Sequence, residues 1–91
     1  MTVKVRIPTQ LRSLTSGLGQ IDAEGETVGQ VLNDVNRLFP GFNERVFDEE
    51  GKLRRFVNVF LADEDVRFLD GLETPVKSDQ VISVVPAVAG G

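Results

Sequence analysis

The chain has no cysteine, no histidine, no tryptophan and no tyrosine, and its single methionine is Met1. Without cysteine there is no disulfide framework and no thiolate nucleophile; without histidine there is no Ser-His-Asp triad, imidazole base or His/Cys metal site. An enzyme built on this chain would have to work with carboxylates, Lys, Arg and hydroxyls alone. Neither GxGxxG nor GxxxxGK[ST] occurs, so no motif supports nucleotide binding. Strong positive charge is missing too: the formal net charge is −4. Lys4, Lys52 and Lys77 are scattered and Arg54-Arg55 is too short to line a groove, which argues against nucleic acid. No apolar run approaches a membrane span, and the first ten residues carry no apolar signal core, so the expected location is cytoplasmic.

What remains is the composition of a small soluble domain, 41% hydrophobic and 26% charged over 91 residues. Val3, Val5 and Ile7 alternate with Thr2, Lys4 and Arg6, predicting a half-buried strand closed by Pro8. Residues 9–19 read as a polar loop, and residues 20–24 as a second strand ended by Gly25. Thr27 opens a helix as N-cap, with Gln30 three residues on as its capping-box partner. Val28, Val31, Leu32, Val35, Leu38 and Phe39 form its apolar stripe, and Pro40-Gly41 stops it. A short helical turn is expected near residues 43–47 and a solvated turn at 48–51. Residues 56–62 make the strongest strand, rich in Val and Phe. A tight turn at 63–65, a short return strand at 66–68, a bend or 3₁₀ turn at 72–76 and a final strand at 81–85 complete the pattern.

This order predicts an α+β domain: a mixed sheet of four to five strands with one main helix across one face. The first and last strands lie parallel in its centre, joined by a right-handed crossover, which is the β-grasp or ubiquitin-like arrangement. Parity assigns Val57, Val59, Leu61, Ile82 and Val84 inward. Phe56, Asn58, Phe60, Ser83 and Val85 then face outward, making Phe56, Phe60 and Val85 a candidate partner-docking patch.

The sequence ends in Gly90-Gly91. Residues 1–86 are expected to form the domain and residues 87–91 a flexible tail, with Pro86 stiffening its base. Glycine lacks Cβ, so such a tail threads narrow channels and presents its carboxylate to other enzymes. A β-grasp pattern ending in diglycine resembles the ubiquitin-like sulfur carriers, the family of the molybdopterin synthase small subunit and the thiamine sulfur carrier. The segments RFVNVFLADEDVR (55–67), FLDGLETPV (68–76) and VPAVAGG (85–91) are most similar to its cysteine-biosynthesis branch.

The resemblance implies that the protein is a carrier and not an enzyme. An E1-like adenylating and sulfurylating enzyme acts on the Gly91 carboxylate and leaves a thiocarboxylate. Ala87, Val88, Ala89 and Gly90 thread into partner sites. The acceptor is a pyridoxal-phosphate-dependent cysteine synthase or another sulfur-accepting synthase, and a zinc metallopeptidase of the JAMM type releases the product. ATP, PLP and zinc belong to those partners; this chain is expected to bind no metal or cofactor and to be a monomer on its own. With Gly91 terminal, no maturation protease is expected. Sulfur donation to a secondary metabolite such as a thiosugar and ubiquitin-like protein modification stay open, as does a plain interaction module with an incidental diglycine. The acidic clusters Asp48-Glu49-Glu50 and Asp63-Glu64-Asp65 lack EF-hand spacing and read as solvated turns.

Overall fold

The computed structural model describes residues 2–54 and 57–86. Met1, Arg55, Phe56 and residues 87–91, where the flexible tail is expected, lie outside the described residues.

Five strands form one sheet: β1 (Thr2–Arg6), β2 (Gln20–Glu24), β3 (Val57–Leu61), β4 (Glu64–Asp65) and β5 (Val81–Pro86). Their order is β2-β1-β5-β3-β4. The terminal strands β1 and β5 run parallel, with Val5 opposite Ile82, while β1–β2, β3–β4 and β3–β5 are antiparallel. This is the β-grasp topology read from the order of elements.

One face of the sheet is closed by α1 (Val28–Leu38) and the short α2 (Phe42–Val46). Thr27 caps α1, its hydroxyl accepting from the Gln30 N–H at 3.2 Å. The Gln30 side chain accepts in return from the Glu26 N–H at 2.9 Å, one residue before the cap itself. The first bond satisfies a donor that a helix start leaves free, and the second ties the incoming chain to the first turn. Val28, Val31, Leu32 and Val35 of α1 pack with Val3, Val5, Val59 and Ile82 of the sheet, all at most 1% exposed. The alternation on β3 is the predicted one, with Val57, Val59 and Leu61 buried.

Four local readings change. Residues 9–19 are not plain loop: Thr9–Thr15 form a 3₁₀ helix. Its last residue Thr15 is wholly buried, with its hydroxyl shared between the Arg12 and Leu18 carbonyls. The return strand is Glu64–Asp65, two residues earlier than expected, because Ala62 takes a left-handed φ of 56° and tightens the reversal. Val66–Phe68 is therefore a 3₁₀ turn and not a strand; it buries Val66 and leaves Phe68 exposed. Leu38 leaves the core stripe and is 42% exposed: it lies on the flank of the stripe that Val28, Val31, Leu32, Val35 and Phe39 make, while Val35 in the same turn is fully buried.

Candidate docking face and carrier tail

Among the described residues, the other face of the sheet carries no helix. On β5 the outward positions alternate with Ile82 and Val84, so Ser83 and Val85 look away from the core, and Val85 is 41% exposed. On β3 the outward positions are Asn58 and Phe60, both half-buried. Register joins them: Phe60 is opposite Ser83 and Asn58 is opposite Val85. The structure thus brings Phe60 and Val85, two of the three residues of the expected patch, onto one face of neighbouring strands; Phe56 lies outside the described residues.

The parallel β1–β5 pairing adds residues that the reading of an apolar patch leaves out. Arg6 is aligned with Ser83 and Lys4 with Val81. Arg6, Ser83 and Phe60 consequently form one row across three strands. Lys4 faces Asp22 across β1–β2, and neither Lys4 nor Arg6 is in an ion pair among the described residues, where the pairs are Arg37–Asp34 and Lys52–Glu50. The outward parity of Lys4 and Arg6 follows from the Val3/Val5/Ile7 alternation, so the signal for a mixed apolar and basic face is already in the first strand.

Arg67 reaches the same face from the sheet edge. Its Nη1 donates to Asn58 Oδ1 at 2.6 Å, and its Nη2 donates to the carbonyls of Val57 at 2.9 Å and Arg54 at 3.2 Å. Asn58 is thereby held between Arg67 and Val85. The sulfur-carrying position expected of Gly91 and the threading positions Ala87, Val88, Ala89 and Gly90 lie outside the described residues. The described chain brings β5 as far as Pro86, opposite Val57, at the end of this face.

The acidic turns do other work. Asp48 Oδ1 accepts from the Glu50 and Lys52 N–H groups at 2.8 and 3.0 Å. These bonds, the Lys52 contact first, hold its carboxyl below the ordinary carboxylate value. Asp65 Oδ1 caps the next 3₁₀ turn through the Arg67 N–H at 2.8 Å. Among the described residues no group of three or more His, Cys, Asp or Glu side chains is arranged to hold a metal ion, and no helix is long and apolar enough to cross a membrane. A depression on the helical side, lined by Asn33, Asn43, Asp48 and Arg54 among others, opens away from the bare sheet face.

The ThiS family matches residues 5–91. The sulfur carrier protein CysO of Mycobacterium tuberculosis (strain ATCC 25618 / H37Rv) is 45% identical over 93 residues, covering 100% of both chains. A chain in the crystal structure of the Amycolatopsis orientalis BexX/CysO complex is 47% identical, with a TM-score of 0.91 over 98% of this chain and 99% of that one. The solution structure of small archaeal modifier protein 1 from Methanosarcina acetivorans is 30% identical, with a TM-score of 0.83 over 99% and 96% of the two chains. The family match takes in β5 and the diglycine as well as the helix and the bare sheet face, and on that span the chain belongs to the ThiS family.

Proposed function

We propose that the protein is a sulfur carrier whose working atom is the C-terminal carboxylate of Gly91. The observation that carries the reading is end-to-end similarity to a sulfur carrier, at 45% identity with both chains fully covered, in a fold that leads β5 toward the diglycine along an uncovered sheet face. A carboxylate is a poor electrophile. Adenylation by an ATP-dependent partner turns AMP into the leaving group, and a sulfide equivalent then replaces it to give a thiocarboxylate. That group is anionic and nucleophilic at neutral pH. Tethering it raises its effective concentration at a docked partner and keeps it out of bulk solution.

The chain's own residues have two tasks. Phe60 and Val85, flanked by Lys4 and Arg6, seat the partner; 87–91 carry the reactive end into it. ATP, PLP and zinc act on the partner enzymes, and the preferred acceptor is a cysteine synthase, in line with the CysO relatives. The test is removal of Gly91. The shortened protein is expected to melt like the full chain and to transfer no sulfur; sulfur transfer by the shortened chain would sink the proposal.

Protein modification is the second reading, favoured by the likeness to a small archaeal modifier protein. It uses the same adenylate but ends in an isopeptide bond. Lysine-linked Gly91 in digests of cell extract would support it.

A further inference from the structure

We infer that Arg67 is a positioning residue for the carrier tail: it clamps the start of β3 and, through the β3–β5 ladder, fixes the strand end from which the tail leaves. The inference rests on the sulfur-carrier reading.

The argument begins with a gap at the sheet edge. β4 is two residues long and pairs only with Phe60 and Leu61. Beside Val57 and Asn58 there is no further strand among the described residues, and an unpaired strand end of this kind frays or recruits other chains. Arg67 fills the gap. Its guanidinium donates to Asn58 Oδ1 (2.6 Å), the Val57 carbonyl (2.9 Å) and the Arg54 carbonyl (3.2 Å). These acceptors are 9 to 13 residues away in sequence, so the clamp is tertiary. The Val57 N–H also turns to this side, donating to the Arg54 carbonyl at 3.0 Å. Arg67 is itself fixed, because Asp65 Oδ1 accepts from its N–H at 2.8 Å. Its guanidinium has no carboxylate within 4.0 Å among the described residues, so its donors serve neutral acceptors of the strand and not a salt bridge.

The residues gripped are those that hold the end of β5. Val57 is opposite Pro86 and Asn58 opposite Val85, and the next residue is Ala87. Val85 belongs to the candidate docking face, and the tail follows directly. A partner seated on that face meets a tail whose root is set by this strand end, so displacing Val85 and Pro86 changes the span that residues 87–91 must cover. Displacement of reacting groups by about 1 Å is enough to slow a reaction by about a hundredfold. Lysine cannot substitute, since a single ammonium does not reproduce a planar fork spanning three acceptors.

Two measurements on Arg67→Ala and Arg67→Lys test the clamp and the positioning role separately. In the isolated protein, amide hydrogen exchange at Asn58 and Val85 is expected to rise about tenfold in Arg67→Ala, the loss of a charge-assisted bond, and less in Arg67→Lys. Val5 and Ile82 should keep the wild-type rate. Wild-type exchange at Val85 in both variants overturns the clamp. With ATP and an activating enzyme that adenylates the wild-type chain, kcat is expected to fall about tenfold in Arg67→Ala, with KM little changed and Arg67→Lys intermediate. Unchanged kcat, or a loss confined to KM, overturns the positioning role. Arg67→Lys keeps the charge and most of the stem, so the test survives if Arg67→Ala folds poorly. Wild-type protein that no activating enzyme adenylates overturns the carrier reading instead, and the exchange result still judges the clamp.

Discussion

Val85 lies directly opposite Asn58 in the β3–β5 ladder, one residue before the strand ends at Pro86. The proposed docking face and the strand end that leads to residues 87–91 are therefore one structural unit. A charge placed there should disturb partner binding without disturbing the core beneath. Val85→Asp and Phe60→Asp are each expected to weaken binding of the activating enzyme by about tenfold or more, the range of a central interface residue, with near-native circular dichroism. Wild-type affinity in both variants, measured by calorimetry, would remove the face from the account.

Gly25 sits where β2 gives way to α1. A Cβ there would stand 2.7 Å from the Val31 nitrogen and 2.9 Å from the Gln30 carbonyl carbon. Both are helix backbone and neither can swing aside. Gly25→Ala is expected to cost about 1–3 kcal/mol in urea unfolding, as overpacking does. An unchanged midpoint would mean that the β2–α1 approach is looser than described.

Leu32 is fully buried on the sheet side of α1, whereas Leu38 on the same helix is 42% exposed. Leu32→Ala should cost about 2–5 kcal/mol by transfer and cavity terms, and Leu38→Ala under about 1 kcal/mol. Equal losses would contradict the placement of Leu38 on the flank of the helix.

These contrasts show where the sequence could be read and where it could not. Parity on β3 was legible because Val57, Val59 and Leu61 alternate with Asn58 and Phe60, and burial follows that alternation. The capped start of α1 was legible from Thr27 and Gln30. The stripe misled at Leu38 because a residue at its flank fits the periodicity as an apolar position yet turns away from the core that Val35 and Phe39 meet. Thr9–Thr15 was missed because a 3₁₀ turn has a period near three, and only Leu11 and Leu14 mark it among polar residues. Val66–Phe68 read as strand because Val and Phe favour extended backbone, but the left-handed Ala62 brought the hairpin back early. The reach of Arg67 to Val57 and Asn58 depends on that same early turn and has no local signature.

The pH dependence of stability has a defined sign. Asp34 is held below the ordinary carboxylate value by the Arg37 side chain and then by the Glu24 N–H, and Asp48 by the Lys52 N–H first. A group whose folded pKa is lowered stabilises the fold above its unfolded pKa, and that contribution is lost as pH falls through the folded value. Urea midpoints should therefore be nearly flat above about pH 5 and fall below about pH 4. Asp34→Asn together with Asp48→Asn, which keep the acceptor oxygens, should make the acid decline shallower. An identical decline in the double variant would assign it to other carboxylates.

The central claim is that Gly91 carries sulfur. The direct measurement is intact mass after incubation with ATP, sulfide and an E1-like adenylating enzyme, with fragmentation to locate any change. The account predicts a gain equal to one sulfur replacing one oxygen, confined to Gly91, and no gain in the chain shortened by that residue. An unchanged mass with an intact tail, under conditions in which the same enzyme converts a known carrier, would contradict it.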